Sequence, residues 1–302
     1  MKKLTGLIAA PFTPFDNQGA LALGQIDQLA KLYSNNGVNG AFVCGTTGEG
    51  ASLSRREKEL VMERWGAVKG TLDAIFMVGG TSIKEMQELA ALAEESNMDG
   101  IAILCPYFLK PGNLSDLVDF CALIADSAPS LPFYYYHIPA LTGGHFSMLE
   151  FLRLGEKKIP TLAGIKYTHS NIMEFHACRR YSEAKYSILW GTDEALLSSL
   201  VIGGEGAVGS TYNYVAPLYN ELIGAFQGGD FEKAEALQYK SVQVVQLLQK
   251  YGGIGAGKAF MKIIGVDCGW FRPPVHSPTE SMVTALKAEL EKIGFFEYSS
   301  KI

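Results

Sequence analysis

Across the first two thirds of the chain, short continuous apolar runs alternate with longer segments whose apolar residues recur at helical spacing. The runs fall at residues 4–10, 40–44, 74–78, 100–104, 131–136, 162–166, 186–190 and 206–208. Helical spacing appears at 23–33, 54–68, 82–95, 114–125, 147–154, 171–180 and 194–200. Ser54 followed three residues later by Glu57 is a capping-box signature, so the start of that helix is well marked. The runs are apolar throughout rather than alternating, which is the pattern of parallel strands covered on both faces. Eight such β/α units in about 210 residues fit an α/β fold of the (β/α)8 TIM barrel type. A doubly wound sheet is the alternative that strand count leaves open.

After Tyr214 the rhythm changes. Residues 216–226, 231–250, 258–264 and 280–293 read as helices with no strand between them. The expectation is a barrel over residues 1–226 and a C-terminal helical extension over 227–302, packed on the barrel as one functional unit.

Composition narrows the class. Of 302 residues, 48% are hydrophobic and 19% charged, which excludes a disordered chain. A net charge of −5 with no Lys/Arg run argues against a nucleic-acid partner. No apolar stretch reaches the roughly 18 residues of a membrane span, and the first residues lack the apolar core of a signal peptide. The cysteines, at positions 44, 105, 121, 178 and 268, are odd in number and never spaced C-x-x-C. They read as reduced thiols of a cytoplasmic protein rather than disulfides or zinc ligands.

Candidate chemistry lies at the ends of the predicted strands, because barrel loops that follow strands share one face. Lys166 closes an otherwise apolar run. It is either a snorkelling side chain or an amine whose pKa is lowered by desolvation and which can attack a carbonyl carbon. After the second run comes Gly45-Thr46-Thr47-Gly48-Glu49-Gly50, which reads as an anion-holding loop or as a turn with threonine caps. In the fifth run, side-chain alternation puts Tyr134 and Tyr136 on one face and Tyr135 on the other. Tyr136 is then either a proton shuttle or core. Gly191-Thr192-Asp193-Glu194 offers acids to hydroxyl groups or merely caps a helix. Gly209-Ser210-Thr211-Tyr212-Asn213 is again small and polar.

Two look-alikes fall away. Residues 252–259, GGIGAGKA, resemble a phosphate loop but end in Ala259, follow a helix and read as a linker. His169 and His176 are not at i, i+4 and have no carboxylate at a familiar spacing, so no metal is expected.

Taken together, Gly45-Thr46-Thr47-Gly48-Glu49, Tyr136-x-Ile138-Pro139 and Gly164-Ile165-Lys166 resemble the pyruvate-dependent class I aldolases of the dihydrodipicolinate synthase/N-acetylneuraminate lyase superfamily. The N-acetylneuraminate lyase branch, especially its animal form, is the closer likeness. That likeness rests on Phe108-Leu109-Lys110-Pro111, on the block from Leu131 to Gly143, on Gly191-x-Asp193-Glu194 and on the block from Gly209 to Tyr214. It runs over essentially the whole chain.

The resemblance implies a barrel with C-terminal helices, a homotetramer, and neither metal nor organic cofactor. It implies that Lys166 forms a Schiff base with C2 of a keto acid. Thr46 and Thr47 would hold the substrate carboxylate. Tyr136 would move a proton at the C4 hydroxyl, with Thr168 positioning that hydroxyl. Gly191, Asp193, Glu194 and Ser210 would bind the polyol tail and N-acetyl sugar. The implied partners are sialic acid, pyruvate and N-acetylmannosamine.

Three positions bear on the rivals. Where dihydrodipicolinate synthases carry Ser-Arg, this chain has Ala140-Leu141, which removes the cation for a second carboxylate. His137 stands where the family often has Asn. The cross-subunit tyrosine of bacterial relatives is absent or supplied by Tyr107. An aldolase acting on 2-keto-3-deoxy sugar acids remains an alternative, and a keto-acid sensor is a weaker one because it would need neither Lys166 nor Tyr136.

Overall fold

Eight parallel strands close into one barrel in sequence order: β1 Gly6–Ala9, β2 Gly40–Val43, β3 Asp73–Met77, β4 Gly100–Leu104, β5 Phe133–His137, β6 Leu162–Tyr167, β7 Ser187–Trp190 and β8 Gly206–Gly209. The structure is a computed structural model that describes residues 2–302. Pairing of β1 with β8, from Gly6 opposite Gly206 to Ala9 opposite Gly209, completes the ring and excludes the open doubly wound sheet.

The continuous apolar runs are explained by two cores. Ile8, Phe42, Ile75, Tyr134 and Tyr136 fill the barrel interior, while Leu7, Val43, Phe76 and Tyr135 face the surrounding helices. The alternation expected for the three tyrosines is met: Tyr135 leaves the interior and stacks on Phe151 with centroids 4.6 Å apart.

The helices of the ring are α1 Gly24–Asn35, α2 Arg55–Val68, α3 Ile83–Glu95, α4 Leu114–Ala125, α5 Pro139–Thr142, α6 Met148–Lys158, α7 Ile172–Arg180, α8 Leu196–Val201 and α9 Tyr212–Gln227. The capping box at Ser54 and Glu57 is formed, and Ser82, Asn113, Ser147 and Asn171 cap α3, α4, α6 and α7 with their side chains. Such caps are each worth roughly 1 kcal/mol. Beyond the ring lie α10 Phe231–Lys250, α11 Gly257–Ile263, α12 Glu280–Lys292 and α13 Phe295–Tyr298. The longest of these, α10, lies along α9 and over the turn that holds Asp193.

Local details differ from the sequence expectations. The segment after β5 folds into the one-turn α5, begun by Pro139, whose fixed φ suits the first helical position. The last ring helix starts at Tyr212 rather than 216 and breaks at Val215, because Pro217 cannot donate to the carbonyl at 213 and crowds it. The linker expected at 252–259 is only partly one: a 3-10 turn covers Gly253–Ala256 and α11 begins at Gly257, so Lys258 and Ala259 are helical. Among the described residues, no helix is long and apolar enough to cross a membrane.

Candidate active site

Tyr136 and Lys166 are register partners on the adjacent strands β5 and β6, one residue short of each strand's C-terminal end. Parallel register with a common inward phase puts both side chains in one layer at the barrel mouth. The Lys166 Nζ lies 4.0 Å from the Tyr136 ring centroid and 4.2 Å from that of Phe42. It has no carboxylate within ion-pair distance among the described residues. Burial therefore dominates, bringing its pKa down to about 7 against the more distant charge of Asp193. The aromatic faces favour the cation only modestly and do not reverse this. Burial pushes the Tyr136 phenol up, and its hydroxyl sits 3.3 Å from Thr46 Oγ1.

The loop after β2 is held tightly. Gly50 N–H donates to the Gly45 carbonyl at 3.1 Å, Glu49 N–H to Thr46 at 3.1 Å, and the Thr13 hydroxyl to the Gly48 carbonyl at 2.6 Å. Cys44 and Glu49 adopt φ of 56° and 55°, the left-handed region, so the chain reverses sharply around the threonines. A Cβ at Gly50 would strike the Cys44 carbonyl, so glycine is required there. This closure brings Thr46 and Thr47 beside Tyr136 and Lys166.

Around the same mouth, the loops after β6, β7 and β8 supply the other candidates. Thr168 donates its N–H to the His137 carbonyl at 2.8 Å, and its buried hydroxyl lies beside the Tyr136 phenol without a hydrogen bond of ordinary geometry. That hydroxyl lies where a Cβ on Gly191 would be, which explains the glycine. Asp193 is buried, and its Oδ2 accepts from Thr211 N–H at 2.9 Å and from the Thr211 hydroxyl at 2.6 Å. Burial raises its pKa to about 6; the Thr211 bonds and Lys166 oppose the rise, while Glu194 adds to it. Lys166, Tyr136, Thr46, Thr47, Thr168, Gly191, Asp193, Glu194 and Ser210 all line one cavity of ≈ 360 Å³. A buried free amine, a phenol, paired hydroxyls and two acids in one cavity can bind a polar carbonyl compound and move its protons.

The dihydrodipicolinate synthetase family model matches residues 3–293. The chain belongs to that family. Within the family, human N-acetylneuraminate lyase is 40% identical over 304 aligned residues, covering 99% of this chain and 95% of the human protein. N-acetylneuraminate lyase of Proteus mirabilis is 41% identical and superposes with a TM-score of 0.95, over 97% of this chain and 100% of its own. A catalytic lysine mutant of Ruminococcus gnavus sialic acid aldolase, 26% identical, superposes with a TM-score of 0.90 over 97% of each chain.

Several residues that shape this family site went unnoticed in the sequence. Thr211 carries two of the hydrogen bonds to Asp193, and Asn213 donates to the carbonyls of Ala10 and Ser210 at 2.7 Å each. Both stand in the 209–213 block already singled out, and their wholly buried polar side chains are the signal that matters. From α10, Gln238 accepts from Leu197 N–H at 2.7 Å and braces the start of α8, while Val245, Leu248 and Gln249 line the cavity. No local pattern marks those residues. Tyr107 lines a neighbouring cavity of ≈ 270 Å³ that shares Thr46 and Ile138, not the cavity of Lys166. His137 points away from the barrel interior, packs beside Tyr135 and Tyr167, and is driven down to about 4 by burial.

Proposed function

We propose that this protein cleaves N-acetylneuraminate reversibly to N-acetylmannosamine and pyruvate, through a Schiff base on Lys166. The observation that carries the reading is the unpaired, buried Lys166 amine beside Tyr136, in a cavity whose walls hold the Thr46–Thr47 loop and the Asp193–Glu194 turn. The names of the related lyases, and the lysine whose mutation is named in the Ruminococcus aldolase, support it.

With its pKa near 7, a useful fraction of Lys166 is free amine at neutral pH and can attack C2 of the keto acid. Loss of water from the adduct leaves a protonated imine. Thr46 and Thr47 hold the substrate carboxylate through hydroxyl and backbone N–H groups, which fixes C2 over the amine. Tyr136, kept as a neutral phenol by burial, takes up the C4 hydroxyl proton while its own proton passes to the Thr46 hydroxyl, which hands its proton on to the substrate carboxylate it holds. The Thr168 hydroxyl beside Tyr136 orients that C4 group. As the C4–O bond becomes a carbonyl, the C3–C4 bond breaks and its electron pair moves into the imine, giving an enamine and the sugar aldehyde. The proton then returns along the same relay through Tyr136 to C3 of the enamine, and water hydrolyses the resulting imine to release pyruvate and restore the amine. Gly191 leaves room for the Thr168 hydroxyl and presents its backbone to the polyol chain, and Asp193, Glu194 and Ser210 accept or donate hydrogen bonds to it.

Borohydride added with pyruvate should leave a reduced adduct on Lys166 by peptide mass; an adduct elsewhere, or none, overturns the Schiff-base assignment. Pyruvate release from N-acetylneuraminate should far exceed release from 2-keto-3-deoxygluconate, and the reverse would identify a sugar-acid aldolase. The same reading includes a homotetramer, which the exposed apolar Phe108, Leu109 and Leu141 support and which light scattering tests. It also includes residues 1–226 and 227–302 working as one unit in the cytoplasm, where five buried free thiols stay reduced; cell fractionation tests the location.

A further inference from the structure

The carboxylate of Glu49 is buried two residues beyond Thr47, in the loop that faces the substrate carboxylate. Both of its oxygens are bound by the C-terminal part of the chain. Lys258 Nζ from α11 donates to Oε1 at 2.8 Å, and Arg272 N–H donates to Oε2 at 2.9 Å. Lys258 itself is fully buried, lies 4.2 Å from the Phe15 ring centroid, and also donates to the Trp270 carbonyl at 3.1 Å. The Arg272 guanidinium continues the brace, donating to Glu57 and to the Gly19 carbonyl. Neither Lys258 nor Glu49 lies among the residues to which the reaction assigns a role.

We infer that the Lys258–Glu49 pair is a positioning device for the substrate carboxylate, holding the Thr46–Thr47 loop in its left-handed bend and cancelling a buried negative charge beside the anion site. The inference rests on the lyase reading and deepens it. Two facts carry it. Glu49 sits at φ 55°, a conformation that a non-glycine residue holds only when its surroundings over-determine it. Its backbone also closes the loop, with Glu49 N–H on Thr46 and the Glu49 carbonyl accepting from Ser52 N–H at 2.7 Å. Freed from Lys258, the carboxylate would be an uncompensated buried charge that escapes by moving, and Thr46 and Thr47 would move with it. A carboxylate-binding loop displaced by about 1 Å weakens capture of the keto acid far more than capture of the sugar.

The test uses the full chain with Lys258→Met, which keeps the stem and removes the charge, and Glu49→Gln, which keeps the acceptor for Arg272 and leaves the loop unionised. Borohydride trapping on Lys166 across a pyruvate series reads half-saturation directly, whether or not N-acetylneuraminate is cleaved. A failure of the lyase reading therefore shows separately, as trapping without cleavage. The expected result is half-saturating pyruvate raised by about tenfold in Lys258→Met and by at least about threefold in Glu49→Gln. In the synthesis direction, the N-acetylmannosamine KM should stay within about twofold. If Lys258→Met does not fold, Glu49→Gln decides alone. Half-saturation for pyruvate within twofold of the parent in a folded variant overturns the inference, as does a parallel rise in both constants.

Discussion

Four lysines of this protein are buried, and two of them, Lys166 and Lys258, have opposite fates. Lys166 lies one residue before the end of β6 among aromatic faces with no counter-ion in reach, and burial brings it down to about 7. Lys258 is equally inaccessible but has the Glu49 carboxylate at 2.8 Å, which works against the downward pull of burial. Desolvation acts on both; only the partner differs. An unpaired buried ammonium is under pressure to become a nucleophilic amine, whereas a paired one becomes a strut. Burial of a lysine therefore says little about its role until its counter-charge is known.

The comparison can be broken most directly at Lys166. Replacing it with Met should abolish borohydride trapping and lower lyase activity by at least about 1,000-fold. The same change should stabilise the fold. A base whose folded pKa lies below its unfolded value destabilises the native state at low pH, and that penalty fades as pH rises from about 7 toward the ordinary lysine value near 10.5. Chemical denaturation should thus find Lys166→Met more stable than the parent below neutrality, with the gap closing as pH rises through that window. A variant less stable than its parent at acid pH would contradict the unpaired state assigned to Lys166.

Tyr136→Phe keeps the ring beneath the amine and removes the proton path, so kcat should fall by about 100- to 1,000-fold while pyruvate trapping survives. Lys258→Met should behave in the opposite sense from Lys166→Met. Leaving Glu49 alone in the interior costs roughly 3–5 kcal/mol, read as an earlier denaturation midpoint. Equal effects of the two lysine substitutions on stability would erase the distinction drawn here.

Two smaller effects sharpen the Lys166 side. Activity should rise with pH through about 7 as the free amine appears, and a profile flat across neutrality would argue against the lowered pKa. Glu194→Gln should raise the KM for N-acetylneuraminate about tenfold and leave half-saturation for pyruvate unchanged, since Glu194 lines the cavity and the proposed reaction gives it the sugar end. Kinetics with both substrates separates these outcomes.

Much of the fold was legible because its signals are periodic. Eight continuous apolar runs set against helical spacing pointed to a parallel α/β fold of barrel size, which β1–β8 pairing settles against a doubly wound sheet, and Ser54 with Glu57 marked a helix start that the structure retains. That Tyr134 and Tyr136 share a face followed from alternation alone; barrel closure makes that face the interior one, and register with Lys166 places both at the mouth. The nine candidate positions lay at strand ends, and a closed barrel gathers strand ends on one face. The break at Val215 was harder, since Pro217 within a helical pattern announces a bend but not where the helix resumes.

What stayed hidden were contacts between segments remote in sequence. Glu49 and Lys258 are 209 residues apart, Asn213 reaches Ala10 across 203, and Gln238 braces the start of α8 at Leu197 across 41. The sequence by itself determined the strand and helix rhythm, which strand residues share a face and the chemistry available at each strand end, because those depend on local period and side-chain type. The tertiary structure alone decided which buried lysine is paired and which carboxylate is already spoken for by Thr211. Those outcomes depend on which atoms meet when the barrel closes and the C-terminal helices fold over it, and in a desolvated interior the meeting partner sets whether a charge survives.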